Sequence, residues 1–152
     1  MNHFIKKSLI NASAVDLYQW HLEPGAFDAL NPPWEKVRVL TPPQTLEEGS
    51  EVELRLEIGP LRLKWVALHC HFERNRRFDD IQKSGPFKTW QHAHRFEPVD
   101  DHTTQMLDEI QYELYGGALV NRLGSLFVRK RLERMFAYRH NQLQSIFGTE
   151  NN

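Results

Sequence analysis

The sequence predicts an α+β fold in which a curved antiparallel sheet of about seven strands wraps one long C-terminal helix. Three observations predict it. Between residues 37 and 115, short runs alternate polar and apolar residues with the period of two that strands require, punctuated by Pro-Pro, Gly-Pro and Asp-Asp pairs. From Ala118 the apolar period becomes helical and persists for about 30 residues, or ~45 Å. Ahead of the sheet, one strand-like run is followed by two short helical segments.

In chain order, residues 3–10 alternate weakly, with Phe4, Lys6, Ser8 and Ile10 opposed to Ile5, Lys7 and Leu9, and read as the first strand. Ser13 is placed to N-cap a helix over AVDLYQWHL, and Pro24 fits the first turn of a second helix that ends at Pro32-Pro33. Val37 and Val39 mark the next strand, stopped by Pro42-Pro43. EVELRLEI (51–58) alternates cleanly with Val52, Leu54, Leu56 and Ile58 inward, and Gly59-Pro60 turns it into LRLKWVALHCHFE (61–73). Two runs around Gly85-Pro86 follow. The last strand, TTQMLDEIQYELY (103–115), carries Met106, Asp108, Ile110, Tyr112 and Leu114 on one face. In the C-terminal helix, Leu119, Leu123, Leu126, Phe127, Met135, Phe136, Leu143, Ile146 and Phe147 form the expected apolar stripe. Arg122, Arg129, Arg131 and Arg134 largely fall on other positions, as the solvated back of the helix. The expected domain is 1–148, with a tail at 149–152.

A chain of 152 residues suits one domain that buries a sizeable core without staples. A net charge of −1 gives no argument for nucleic acid or an anionic membrane. The single cysteine, Cys70, excludes an intramolecular disulfide and cysteine-based zinc sites. With no signal-like apolar core and no long apolar run, a cytoplasmic protein without membrane insertion is expected.

Chemistry concentrates in FDDIQKSGPFKTWQHAHRF, residues 78–96. Phe78, Asp80 and Gln82 share one strand face, and Trp90, His92, His94 and Phe96 share another. Between the latter lie Gln91, Ala93 and Arg95, so the Trp/His/His/Phe face is the interior one. Polar groups buried among aromatics are costly unless paired, which implies either a hydrogen-bonded core or a pocket. The inward set is Asp80, Gln82, His92, His94, Asp108 and Tyr112, with Trp65, His69, Trp90 and Met106 nearby.

The whole chain resembles the START-like/Bet v 1-like superfamily, also called SRPBCC. More narrowly it is similar to bacterial ligand-binding proteins of the polyketide cyclase/dehydrase-like group. The resemblance rests on Trp20-His21, Pro24-Gly25-Ala26-Phe27, Pro33-Trp34, Gly49, Trp65 and His69. It is strongest over the 78–96 hairpin and continues in Asp108-x-Ile110-x-Tyr112 and Met135-Phe136-x-Tyr138-Arg139-His140. One departure is local: relatives carry a proline near the end of the last strand, where this chain has Leu114-Tyr115-Gly116-Gly117. The resemblance implies a helix-grip fold with an internal cavity between sheet and helix, and a hydrophobic or amphipathic ligand. Some relatives look fused to an epimerase-like reductase, so a separate enzyme of that kind is an expected partner.

Four readings of the polar set follow. As a ligand site, its polar groups orient a head group while Val52, Leu54, Leu56, Met106 and Ile110 hold an apolar body. As structure, His92 pairs with Asp80 or Asp108 and fixes the sheet. As acid–base machinery of a cyclase or dehydratase, His92 or His94 is the base, Asp80 or Asp108 orients it, and Tyr112 donates to an enolate. As a metal site, His69/His71 or His92/His94 would join Asp80, but such spacing on a strand is a weak signal, and no metal or cofactor is expected. Arg139 is placed to pair with a sheet carboxylate where helix and sheet meet.

Overall fold

Strand β1 (Asn2–Ile10) opens the chain, with Phe4 and Ile10 buried and Ile5 and Leu9 exposed, so its weak alternation is real. The structure is a computed structural model that describes residues 1–45 and 47–148; the expected tail at 149–152 lies outside the described residues. After β1 come α1 (Ala14–Leu22) and α2 (Ala26–Leu30). They are followed by β2 (Lys36–Thr41), β3 (Glu51–Ile58), β4 (Leu61–Glu73), β5 (Arg77–Ser84), β6 (Thr89–Pro98), β7 (Thr104–Glu113) and α3 (Gly117–Phe147). The strands form one antiparallel sheet in the order β1-β7-β6-β5-β4-β3-β2. Consecutive hairpins build β2 to β7, and β1 returns to pair with β7, which is the predicted helix-grip arrangement of a sheet and a long C-terminal helix.

The local signals act as expected at most boundaries. Ser13 caps α1, its hydroxyl accepting from the Asp16 amide at 3.1 Å. Pro24 is a correction. It precedes α2, whose N-cap is Gly25 at φ 86°, a left-handed conformation that glycine adopts without strain. The departure at Gly116-Gly117 has a similar basis, since both residues take positive φ at the corner between β7 and α3. A proline, with φ fixed near −65°, fits neither position.

The apolar stripe of α3 differs from the expectation. Leu119, Leu123, Leu126 and Phe127 are exposed, and the buried face is Leu132, Phe136, His140 and Leu143. At 100° per residue, the first group lies roughly opposite the second. In its N-terminal half, α3 instead meets β7 through polar groups. Asn121 accepts from the Leu114 amide and donates to the Leu114 carbonyl, both at 2.8 Å, and the Tyr112 hydroxyl donates to the Ser125 carbonyl. Nor is the basic run wholly solvated. Arg131 pairs with the buried carboxylate of Glu35, and Arg134 lies over Trp34 at 5.1 Å.

Two apolar clusters flank the middle of the concave face. One gathers Ile10, Leu17, Tyr18, Phe78, Phe96, Met106 and Leu143 beneath α1. The other gathers Phe4, Trp90, Ile110, Tyr112, Leu132 and Phe136 beneath α3. Toward β3 and β4 the cover thins. Leu54 pairs with Trp65 and Leu56 with Leu63 across the two strands, and all four are only half-buried. Of the concavities on the molecule, a hollow of about 270 Å³ lies at the β4–β5 turn, and a groove of about 560 Å³ runs along the exposed side of α3. Neither is lined by both sheet and helix.

Candidate functional site

Strand register assembles the site. Asp80 on β5 faces His92 on β6 and His69 on β4, while His94 faces Phe78 on β5 and Asp108 on β7. Alternation sends these side chains to the concave face, into the gap between the two apolar clusters. His140 descends from α3, one turn after Phe136, and completes the group from above.

Asp108 is the centre. Its Oδ1 accepts from His92 Nε2 at 2.8 Å, and its Oδ2 accepts from His140 Nε2 at 2.7 Å. His94 Nδ1 also lies 2.8 Å from Oδ1, but out of line with its N–H, so this contact is ionic more than a formed hydrogen bond. On the far side of the two rings, Asp80 Oδ2 lies 3.5 Å from both His92 Nδ1 and His94 Nε2. The rings are tilted against each other with centroids 3.8 Å apart, and His94 stacks on Phe78. Two histidines are thus held between two carboxylates.

Electrostatics separates the two histidines. Burial alone would lower the pKa of His94, but the Asp108 carboxylate, by contact and charge, and then Asp80 outweigh it and raise it to about 9. Burial and the neighbouring His94 charge lower His92 against the pull of Asp108 and Asp80. Burial opposes ionisation of Asp108, yet contacts with His140, His92 and His94 hold it well below the usual carboxylate range. Asp80 is lowered in the same way by His94 and His92. Access is one-sided: the side chains of Asp80 and His94 retain 16% and 13% exposure, whereas Asp108 retains 5%.

The structure therefore brings together Asp80, His92, His94 and Asp108 of the predicted set, with His69 beside them. His69 is buried, paired through Nδ1 with the Thr45 carbonyl at 3.1 Å, and its pKa is lowered by burial. The other predicted residues have different surroundings. Gln82 closes the β5–β6 turn, donating to the Phe87 carbonyl at 2.7 Å and accepting from the Phe87 amide at 3.1 Å, so both ends of its amide are engaged by the turn. Met106 packs in the α1 cluster, and the Tyr112 hydroxyl is engaged by α3. Trp65 and Trp90 meet edge to face at 4.9 Å, and the buried Trp65 Nε1 has no partner among the described residues. His71 does not join His69. It sits at the β4–β5 register shift with φ 53° and is exposed.

Two residues that sequence reasoning passed over belong here. His140 makes the contact expected of its neighbour. Arg139 forms no ion pair with a sheet carboxylate among the described residues; its guanidinium lies 5.0 Å from the Phe136 ring, its Nε lacks a partner, and burial lowers its pKa. His21 on α1 donates through Nδ1–H to the Leu17 carbonyl at 2.7 Å and packs on Phe96 at 5.1 Å. Burial takes its pKa down to about 4.

A curved antiparallel sheet gripping a C-terminal helix, with a polar cluster recessed in its concave face, is a helix-grip fold. The chain belongs to the family described as polyketide cyclase / dehydrase and lipid transport, which matches residues 10–137. Among solved structures it is similar to the Zhui aromatase/cyclase from Streptomyces sp. R1128, at 14% identity over 97% of this chain and 93% of that one, with a TM-score of 0.73. A START superfamily protein from Mycobacterium smegmatis is 14% identical over 96% and 97% of the two chains, with a TM-score of 0.67. A nucleoside-diphosphate sugar epimerase from Corynebacterium glutamicum is 27% identical over 93% of this chain but only 28% of that longer chain, with a TM-score of 0.69. No curated protein matches. Among the described residues, no helix is long and apolar enough to cross a membrane.

Proposed function

We propose that this protein binds a hydrophobic or amphipathic small molecule whose polar end engages Asp80 and His94. The observation that carries the reading is the continuity of two surfaces. The half-buried strip of Leu54, Leu56, Leu63 and Trp65 runs into the Trp65–Trp90 contact, and Trp90 stands two residues from His92 on the same face of β6. Apolar walls with a few convergent polar groups are what small-molecule sites need, and the unpartnered Trp65 Nε1 offers a further donor. Lipid-like and polyketide-like molecules both have this chemistry, and the family description supports either.

The test is native mass spectrometry of gently purified protein, followed by thermal melts with fatty acids and polycyclic phenols. A bound organic mass, or a rise in Tm that saturates with ligand, is expected, and Leu54→Glu should abolish it without lowering the ligand-free Tm. Absence of both signals overturns the reading.

One observation favours acid–base chemistry as a second reading. Neighbouring histidines whose pKa values are pushed apart form a donor and an acceptor of protons. His94 would supply a proton to a developing enolate and His92 would accept one. Turnover of a polyketide-like substrate should then be lost in His94→Gln and Asp80→Asn but kept in His102→Ala, which alters an exposed loop. We further propose cooperation with a separate epimerase-like enzyme; the likeness of this chain to part of the longer C. glutamicum epimerase motivates the test. Co-purification with such an enzyme tests this.

A further inference from the structure

We infer that Asp80, His92 and His94 form a binding site for one divalent transition-metal ion of the zinc or iron(II) class, with Asp108 as the carboxylate that orients both histidines. This runs against the expectation of no metal drawn from the sequence, and it goes beyond the ligand reading without depending on it.

Four features of the geometry carry the inference. First, the donor set is two imidazoles and one carboxylate, a combination suited to zinc or to non-haem iron(II). One ligand atom each from Asp80, His92 and His94 converge within 4.8 Å of one another.

Second, the spacing fits an ion better than it fits a hydrogen bond. Both nitrogens lie 3.5 Å from Asp80 Oδ2, and neither makes a hydrogen bond to it. Ligand atoms about 2.0–2.1 Å from a tetrahedral ion stand about 3.4 Å from each other.

Third, both rings are held from behind, His92 by a hydrogen bond to Asp108 and His94 by an ionic contact with it and by stacking on Phe78. His92 turns Nε2 and His94 turns Nδ1 toward the same oxygen of Asp108, each at 2.8 Å. The nitrogens turned toward Asp80 are therefore the ones free to coordinate. A histidine ligand whose second nitrogen meets a carboxylate is the usual outer arrangement at metal sites. His140 on the other Asp108 oxygen holds that carboxylate in place.

Fourth, there is an entry side, because Asp80 and His94 keep part of their surface exposed while Asp108 does not. Three protein donors leave at least one coordination position for water or for the oxygen of a small molecule.

The same residues need no ion to exist as an ion-paired core, so the experiment must separate the two. Chelator-stripped wild-type protein is titrated with Co²⁺, followed by visible ligand-field absorption, and with Zn²⁺ by calorimetry. One equivalent per chain is expected, with Co²⁺ bands of a four- or five-coordinate nitrogen/oxygen site. In proton-nitrogen spectra of the wild-type chain, Zn²⁺ should shift the ring signals of His92 and His94 and leave the exposed His71 and His102 unmoved. Asp80→Asn should weaken binding at least tenfold, and Asp108→Asn about 10- to 100-fold; His71→Ala should leave it unchanged. The inference is overturned if the wild-type chain takes up no stoichiometric ion, or if the ion shifts other histidines instead. It is equally overturned if folded Asp80→Asn binds as tightly as wild type. The wild-type spectra decide the matter even where a variant does not fold, and the lipid and phenol melts are scored separately.

Discussion

At the scale of single residues, Asp108 carries more of the structure than any other polar group in the concave face. It is buried between three imidazoles, and one of these, His94, is charged at neutral pH because of it. Removing one partner of a buried ion pair leaves the other charge without compensation, at a cost of about 3–5 kcal/mol. Asp108→Asn is therefore expected to lose about that much stability in urea unfolding. Asp80→Asn should lose roughly 1 kcal/mol, because Asp80 is partly exposed and its contacts are 3.5 Å long. The His94 pKa, raised to about 9 by Asp108 and Asp80, should fall in Asp108→Asn, as read by an NMR titration of both proteins. Equal losses in the two variants would mean that Asp108 is not the centre of the cluster.

At the scale of elements, α3 tests how far periodicity can be trusted. Leu126 is 65% exposed and Leu132 is 4% exposed, although the sequence stripe included the first and not the second. Leu132→Ala should cost about 2–5 kcal/mol and Leu126→Ala less than about 0.5 kcal/mol in denaturant unfolding. The reverse order would restore the stripe read from the sequence. The misreading has a physical cause. Strand elements were legible because alternation, turn glycines and prolines act over a few residues, and the bounds of β3 and β4 agree to the residue. A helix of 31 residues with apolar groups on both sides offers two stripes, and only its tertiary partners choose between them. The facing row 132, 136, 140, 143 was present in the spacing, and with it His140, but a histidine among leucines and phenylalanine was passed over as polar. In the site itself, the pairing of Asp80 with His92 and of His94 with Asp108 follows from alternation plus register. The capture of Gln82 by the turn and of Tyr112 by Ser125 depends on side-chain reach, which alternation does not encode.

At the scale of the whole molecule, these groups set how stability responds to pH in the metal-free protein. On the acid side, His21 is held neutral in the folded state down to about 4, while the unfolded chain takes up a proton near 6.5. Between those values the unfolded state binds more protons, so stability falls as pH falls. His92, also lowered, acts in the same direction. Asp80 and Asp108 have depressed values, so their contribution is present above the ordinary carboxylate value of 3.8 and is lost as pH drops through their folded values. Between pH 6.5 and 9 His94 acts in the opposite sense, and the raised Cys70, Tyr18 and Tyr112 add to the fall at higher pH. The raised value of His94 gives stability that is fully present below 6.5 and lost as pH rises to about 9. The free energy of unfolding should therefore be greatest near pH 6.5 and fall on both sides, as read from urea midpoints at constant ionic strength. His94→Gln should flatten the alkaline limb between pH 6.5 and 9 while keeping the acid limb, and His21→Gln should soften the acid limb between pH 6.5 and 4. A wild-type profile flat from pH 6.5 to 9, or a fall over that range that survives in His94→Gln, would show that His94 is not held charged between Asp80 and Asp108. Within the acid limb, a fall above pH 4 reports the lowered histidines His21, His69 and His92, and a fall below pH 4 reports Asp80 and Asp108.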